Sequence, residues 1–371
     1  MRKTLASGLI IALLPAVLPP AAFAQEADSA PAVELPAATV TKVMTAAVDG
    51  FIRPGYDAFQ KTAEDMTATM KTLCAAPSQT NYDAAKAGFG KLAASWAHIE
   101  IVRTGPVIEQ NRFERILFYP DRKSTGLKQV QAVLSKSDET ATNPKTLATK
   151  SVATQGLGAL EYLLFGTGSD TLTSGNDFRC RYGAAVAENV GNVAAEIAGI
   201  WDAPDGIQKA WEQPGADNPV YRTGGEAVTG LLGILVHGAE AVRDQRIETF
   251  YKGADKAKFP KQALFWRSEN TWPMIRTNLD GLSELLATSN MVELLPEKDR
   301  AIVVATQDKL KSMSALAGEM TPDLEKAVED AGERKKLDTL LADGKDVITK
   351  LNDGYGGAIG LSSGFSFADG D

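Results

Sequence analysis

Apolar residues recur along almost the whole chain at three- and four-residue intervals, and almost nowhere in strict alternation. Ile302, Thr306, Leu310, Met313, Ala317 and Met320 form the stripe of a helix with one buried face. Leu324, Val328 and Ala331, then Leu337, Leu341, Ile348 and Leu351, continue the pattern. The charge run from Glu325 to Lys336 reads as a solvated face between them. Similar spacing predicts helices over 47–74, 82–103, 147–165, 178–201, 222–251 and 270–288, with breaks at Gly50, Gly55 and Gly105-Pro106. The expected architecture is all-α, two packed four-helix-bundle-like halves. The first covers 39–201 and the second 220–371, the latter ending in a glycine-rich tail from Gly354. Residues 202–219, with Pro204, Pro214 and Pro219, read as the linker.

The chain has 371 residues, room for about two domains. Lys plus Arg number 39 against 47 Asp plus Glu, a net charge of -8 that repels phosphate backbones, so no nucleic-acid partner is expected. Two histidines and two cysteines are too few for cysteine-rich zinc modules or a four-thiolate iron–sulfur centre. Arg2 and Lys3, the apolar stretch Ala6–Leu18 and Ala22-Phe23-Ala24 read as a signal peptide over 1–24, followed by a flexible leader at 25–38. The apolar stretch is short for a bilayer and broken by Pro15, so no membrane span is expected once the signal is removed. The expected compartment is the periplasm. There Cys74 and Cys180 either pair, closing a loop of about 105 residues, or remain two buried thiols.

One segment carries the sharpest chemical signal. Gly156 to Gly166 is apolar nearly all round, and Glu161 is its one carboxylate. A charge in such a helix needs a cation, hydrogen-bond donors or a proton; Arg103, Arg179 and Arg181 are candidate partners. Gly156 and Gly158 remove bulk just upstream, which lets a backbone or a ligand approach. Trp96, Glu100, Arg103 and Val107 share a face if their helix continues to Gly105-Pro106, and that face can bring Glu100 and Arg103 into one pocket with Glu161. The alternative is a local Glu100–Arg103 pair. His98 lies about 200° around the helix from Glu100 and reads as a packed or hydrogen-bonded imidazole. His237 and Glu240, at i and i+3, suit either one metal or an ion-pair ladder with Arg243 and Asp244. Ser362 and Ser363 lack the strand-turn-helix setting of a nucleophile, and no phosphate-cradling glycine loop is present.

The segment Gly156–Gly166 resembles the Gly-x-His-x-x-Glu stretch of imelysin-like proteins, with Gly158 where that motif has histidine. Trp96–Pro106, Phe118-Tyr119-Pro120-Asp121, Glu240–Arg246, Ser268–Thr271 with Asn278-Leu279, and the Gly364–Asp371 ending are similar to further pieces of that family in the same order. The resemblance implies two related helical bundles, a cell-envelope location and a link to iron uptake. It also implies a site near the motif helix; joined to the spacing of Trp96, Glu100 and Arg103, the expected ligand-binding set is Glu161, Glu100, Arg103, Gly156 and Gly158, with Glu161 and Glu100 as metal ligands. Oxygen-only ligands suit ferric iron, calcium or manganese better than zinc. The leading expectation is a non-catalytic binding protein for a metal ion, an iron complex or a peptide-like ligand. Its rivals are a metal-dependent peptidase, as some members are classed, and a structural protein docking an envelope partner.

Overall fold

The computed structural model describes residues 35–175 and 177–361. The signal peptide, most of the leader and the Gly364–Asp371 ending lie outside the described residues. In the first half come α1 (Ala37–Ala47), α2 (Arg53–Ala75), α3 (Gln79–Ile99), α4 (Arg112–Ile116), α5 (Thr125–Lys136), α6 (Pro144–Leu147), α7 (Leu157–Phe165) and α8 (Asp177–Asp202). Then follow α9 (Ile207–Glu212), α10 (Gly224–Glu240), α11 (Thr271–Thr288), α12 (Ala301–Gly318), α13 (Leu324–Glu329) and α14 (Ala331–Thr349). Extended pairing among the described residues is limited to an isolated bridge between Tyr251 and Lys258.

The fold is all-α, and the apolar stripes seen in the sequence become its core. In α12, Thr306, Leu310, Met313 and Ala317 are buried, as is Met320 just beyond it. In the first half α2 packs between α3 and α8; in the second, α11 lies on α12 and α10 lies on α14. The halves meet where α3 packs on α11 and α1 on α10, so that one apolar core runs from Val40 to Ile359. The disulfide Cys74–Cys180 ties the end of α2 to the start of α8.

Several boundaries differ from the sequence reading, each for a local reason. The helix expected to reach Arg103 ends at Ile99, with Glu100 as its C-cap. The helix expected over 147–165 starts only at Leu157: α6 ends at Leu147, a 3-10 turn covers Val152–Thr154, and Gly156 takes an extended conformation as the N-cap of α7. Gly55 sits within α2, its bare Cα making room for the Ile99 side chain. The expected linker carries α9, whose Trp211 is buried against Trp201 and Tyr221. Past Gly354 the last helix is prolonged by a π-helical turn, Lys350–Gly356, where buried Tyr355 donates to the Met291 carbonyl at 2.8 Å. Two more π-helical turns join α1 to α2 (Val48–Ile52) and extend α10 (Ala241–Ile247).

The α3–α11 contact positions the site. A Cβ on Gly281 would collide with the backbone carbonyl of His98, so only glycine permits this approach. One turn earlier on α11, Asn278 then reaches the end of α3. Gly281→Ala is expected to lower the unfolding free energy by about 1–3 kcal/mol through overpacking against a backbone that cannot yield. Urea denaturation measures this; alanine's better helix propensity, about 1 kcal/mol, acts the other way. Replacing both Cys74 and Cys180 by alanine is expected to cost about 4–5 kcal/mol in the chain-entropy account of a long cross-linked loop. The same denaturation series checks it.

Candidate functional site

Two cavities open around the end of α3 and the start of α7. The smaller, about 110 Å³, is lined by Gly156, Gly158, Glu161, Tyr162, Trp266 and Arg267 among others. The larger is a cleft of about 950 Å³ whose walls include Glu100, Arg103, His237, Glu240, Arg246 and Asn278. Phe118, Tyr119 and Asp121 line both. They are held firmly. The Tyr119 hydroxyl lies 3.1 Å from the carbonyls of both Gln245 and Gln262. The Asp121 carboxylate accepts from the free N–H groups of Thr125, Gly126 and Leu127 at the start of α5.

Glu161 is 4% exposed. Its partners are not the predicted arginines. Oε1 accepts from the Ser268 N–H at 3.1 Å and faces the Ser268 hydroxyl at 3.0 Å. The Arg267 guanidinium stands 3.6 Å from Oε2. Arg179 instead donates to the Thr167 carbonyl, Arg181 pairs with Glu139, and Arg103 lies over the Phe113 ring, 3.5 Å from Glu114. Burial pushes the Glu161 carboxyl above its ordinary range, opposed by the Arg267 charge and the Ser268 hydrogen bonds. Ser268 serves either protonation state. Its hydroxyl can donate to an ionised Glu161, or to the Phe265 carbonyl 3.1 Å away while accepting from a protonated one.

The loop presenting these donors is strained. Phe265 and Glu269, on either side of Arg267 and Ser268, have φ of 57° and 58°, a region that side-chain-bearing residues rarely adopt. Phe265 is held there by edge-on packing against Phe89, and Arg267 is sandwiched near Trp266 and Tyr162. Gly156 brings α7 against the backbone of α4: a Cβ there would lie 2.7 Å from the Arg115 carbonyl. A side chain begun at Gly158 would meet no other element within 4 Å, so this position leaves open space beside the Glu161 pocket.

The expectation that Glu100 and Arg103 share a pocket with Glu161 gives way: Glu161 lines the smaller cavity, Glu100 and Arg103 the larger. Because α3 unwinds at Glu100, Arg103 leaves the common face and makes no pair with it. Glu100, 6% exposed, instead accepts at Oε1 from Arg246 and from Asn278 Nδ2, both at 2.8 Å. Each carboxylate is thus engaged with its own partners, one in each cavity. Among the described residues, no three histidine, cysteine, aspartate or glutamate side chains gather to hold a metal ion. His98 contacts Glu284 at 2.9 Å and packs near the Phe51 ring. His237 and Glu240 are 2.8 Å apart on the cleft wall, while Arg243 pairs with Asp244 and Glu248.

Sequence reasoning missed Arg246, Arg267, Ser268 and Asn278 as site residues. All but Arg267 lie in stretches quoted for the family resemblance, yet they read there as helix surface or helix start; their partners lie on distant elements.

These features define a class: an all-helical protein with buried carboxylates facing interhelical cavities. The sequence profile of the imelysin family (peptidase M75) matches residues 52–351, and the chain belongs to that family. No curated protein matches it significantly. Among solved structures, an imelysin-like protein from Psychrobacter arcticum 273-4 is similar at TM-score 0.72 and 20% identity, over 90% of this chain and 99% of that one. A "putative iron-regulated protein A precursor" from Parabacteroides distasonis ATCC 8503 is similar at TM-score 0.71 and 13% identity, over 88% and 95% of the two chains. At these identities the likeness is one of fold.

Because the folded-state pKa of Glu161 is raised, the wild type loses stability as pH rises from the ordinary glutamate range, near 4.3, through the folded-state value. Glu161→Gln keeps acceptors for Ser268 and has no charge to desolvate. Its stability relative to wild type is therefore expected to rise from acid to neutral pH. Parallel urea titrations of the two proteins across that range check the sign; a constant difference refutes it.

Proposed function

We propose that this is an exported, non-catalytic binding protein of the cell envelope that assists iron acquisition by taking iron as a complex. The observation that carries the reading is the Glu161 carboxyl, buried between Arg267 and Ser268 on the wall of a pocket left open at Gly158. Rigid groups of both hydrogen-bonding kinds, set in a partly apolar pocket, suit orientation of a polar ligand. The donor set does not suit a bare cation, since a guanidinium occupies the position where further anionic ligands would be needed. The larger cleft provides volume for the bulk of a complex or a peptide-like ligand. The name of the Parabacteroides relative supports the iron connection, and the N-terminal segment 1–24 supports export to the periplasm. Among the described residues no helix is long and apolar enough to cross a membrane.

The test uses the mature protein with ferric citrate, followed by quenching of tryptophan fluorescence; Trp266 lies against Arg267 at the pocket. Wild type is expected to bind. Glu161→Ala and Arg267→Ala are each expected to bind about tenfold more weakly, the loss of one charge-assisted contact. Equal binding by wild type and Glu161→Ala overturns the assignment of the site.

A further inference from the structure

The larger cleft carries more free positive than free negative charge, although the chain as a whole is acidic at net -8. Four carboxylates line it, and each is already engaged. Glu100 accepts from Arg246, Glu240 lies 2.8 Å from His237, and Asp244 pairs with Arg243. Asp121 uses both oxygens on the N–H groups that open α5. Four cations line the cleft too, and only Arg246 has a close carboxylate. Arg103 stands 3.5 Å from Glu114, too far for a strong charge-assisted hydrogen bond, and is held by the face of Phe113, 4.2 Å from the ring centre. Among the described residues, Arg122 and Lys123 form no ion pair. Both are exposed, on the turn that Asp121 clamps to α5.

Three solvent-accessible cations from two segments, Arg103 after α3 and Arg122-Lys123 before α5, therefore share one cavity without matching carboxylates. Like charges gathered in a cavity repel, and an anion with more than one negative group relieves this where a single carboxylate cannot serve all three. Arg103 and Arg122 offer planar forks of N–H donors, the geometry that oxyanions accept. We propose that this wall of the cleft binds a small oxyanion with two or more negative groups, of the polycarboxylate or phosphate type. The hydroxyls of Thr104 and Thr125, which also line the cleft, are donors for its remaining oxygens. A cleft of about 950 Å³ holds such an anion together with bridging water. The inference rests on the reading of the chain as a binding protein, and adds a charge class and a set of contacts apart from the Glu161 pocket. It does not require iron.

Calorimetric titration of the mature protein with iron-free citrate, pyrophosphate and acetate tests it. At least one of the two polyanions is expected to bind, at least about tenfold more tightly than acetate. Tighter binding of citrate identifies a carboxylate ligand, and tighter binding of pyrophosphate a phosphate-type one. Arg103→Gln and the double variant Arg122→Gln/Lys123→Gln are each expected to weaken binding about tenfold, with thermal melting checking that they fold. Lys311→Gln/Lys335→Gln removes the same charge as the double variant from exposed positions on α12 and α14, outside the cleft lining, and is expected to bind as wild type does. No binding of either polyanion, acetate binding as tight as theirs, or equal weakening by the Lys311/Lys335 variant overturns the proposal. Ferric citrate binding that Glu161→Ala weakens, without binding of either iron-free polyanion, overturns this inference alone. Polyanion binding, with ferric citrate bound no more tightly and unaffected by Glu161→Ala, upholds this inference and overturns the Glu161 pocket.

Discussion

The close approach of α3 and α11 is the constraint on which the rest depends. Gly281 gives way to the His98 carbonyl, and this brings Asn278 under the frayed end of α3, where Glu100 caps the helix. Together with the packing of α1 on α10, that contact joins the two parts of the chain into one core along a seam, and the cleft lies beside it. The seam is polar at its end and apolar along its length. Packing supplies the stability there, and the Glu100–Arg246–Asn278 hydrogen bonds supply orientation.

Two buried acids in this fold meet the same desolvation problem in different ways. Glu100 has a cation within hydrogen-bonding distance and an amide donor on the same oxygen. Glu161 has its cation at 3.6 Å, beyond a good hydrogen bond, and takes its donors from Ser268 and the Arg267 backbone. Burial therefore dominates at Glu161 and raises its affinity for a proton.

How much of this the sequence disclosed follows from the range of each interaction. Helices are local, and the three-and-four spacing around Leu310 and Met313 marks their buried faces directly. The burial of Glu161 was legible for the same reason: every neighbour on its own helix is apolar. Its partners were not. Ser268 is 107 residues away, on a loop whose left-handed residues are Phe265 and Glu269 rather than the glycines that would signal such a turn. The end of α3 was equally hidden. Gly105-Pro106 is a strong stop, but tertiary contacts at Glu100 unwind the helix earlier, and that removes Arg103 from the face its spacing assigned to it.

The π-helical turn Ala241–Ile247 has a further effect on Arg246. Bonding each carbonyl one residue further along inserts an extra residue per turn, which displaces everything beyond it by about 100° around the axis relative to a regular helix. A wheel drawn through α10 and onward would thus send this guanidinium to the wrong side. The widened turn works as an angular offset, aiming one side chain across the seam while the rest of the helix keeps its own alignment. Removing a single residue from it would act as a rotation rather than a shortening, turning Arg246 away from Glu100.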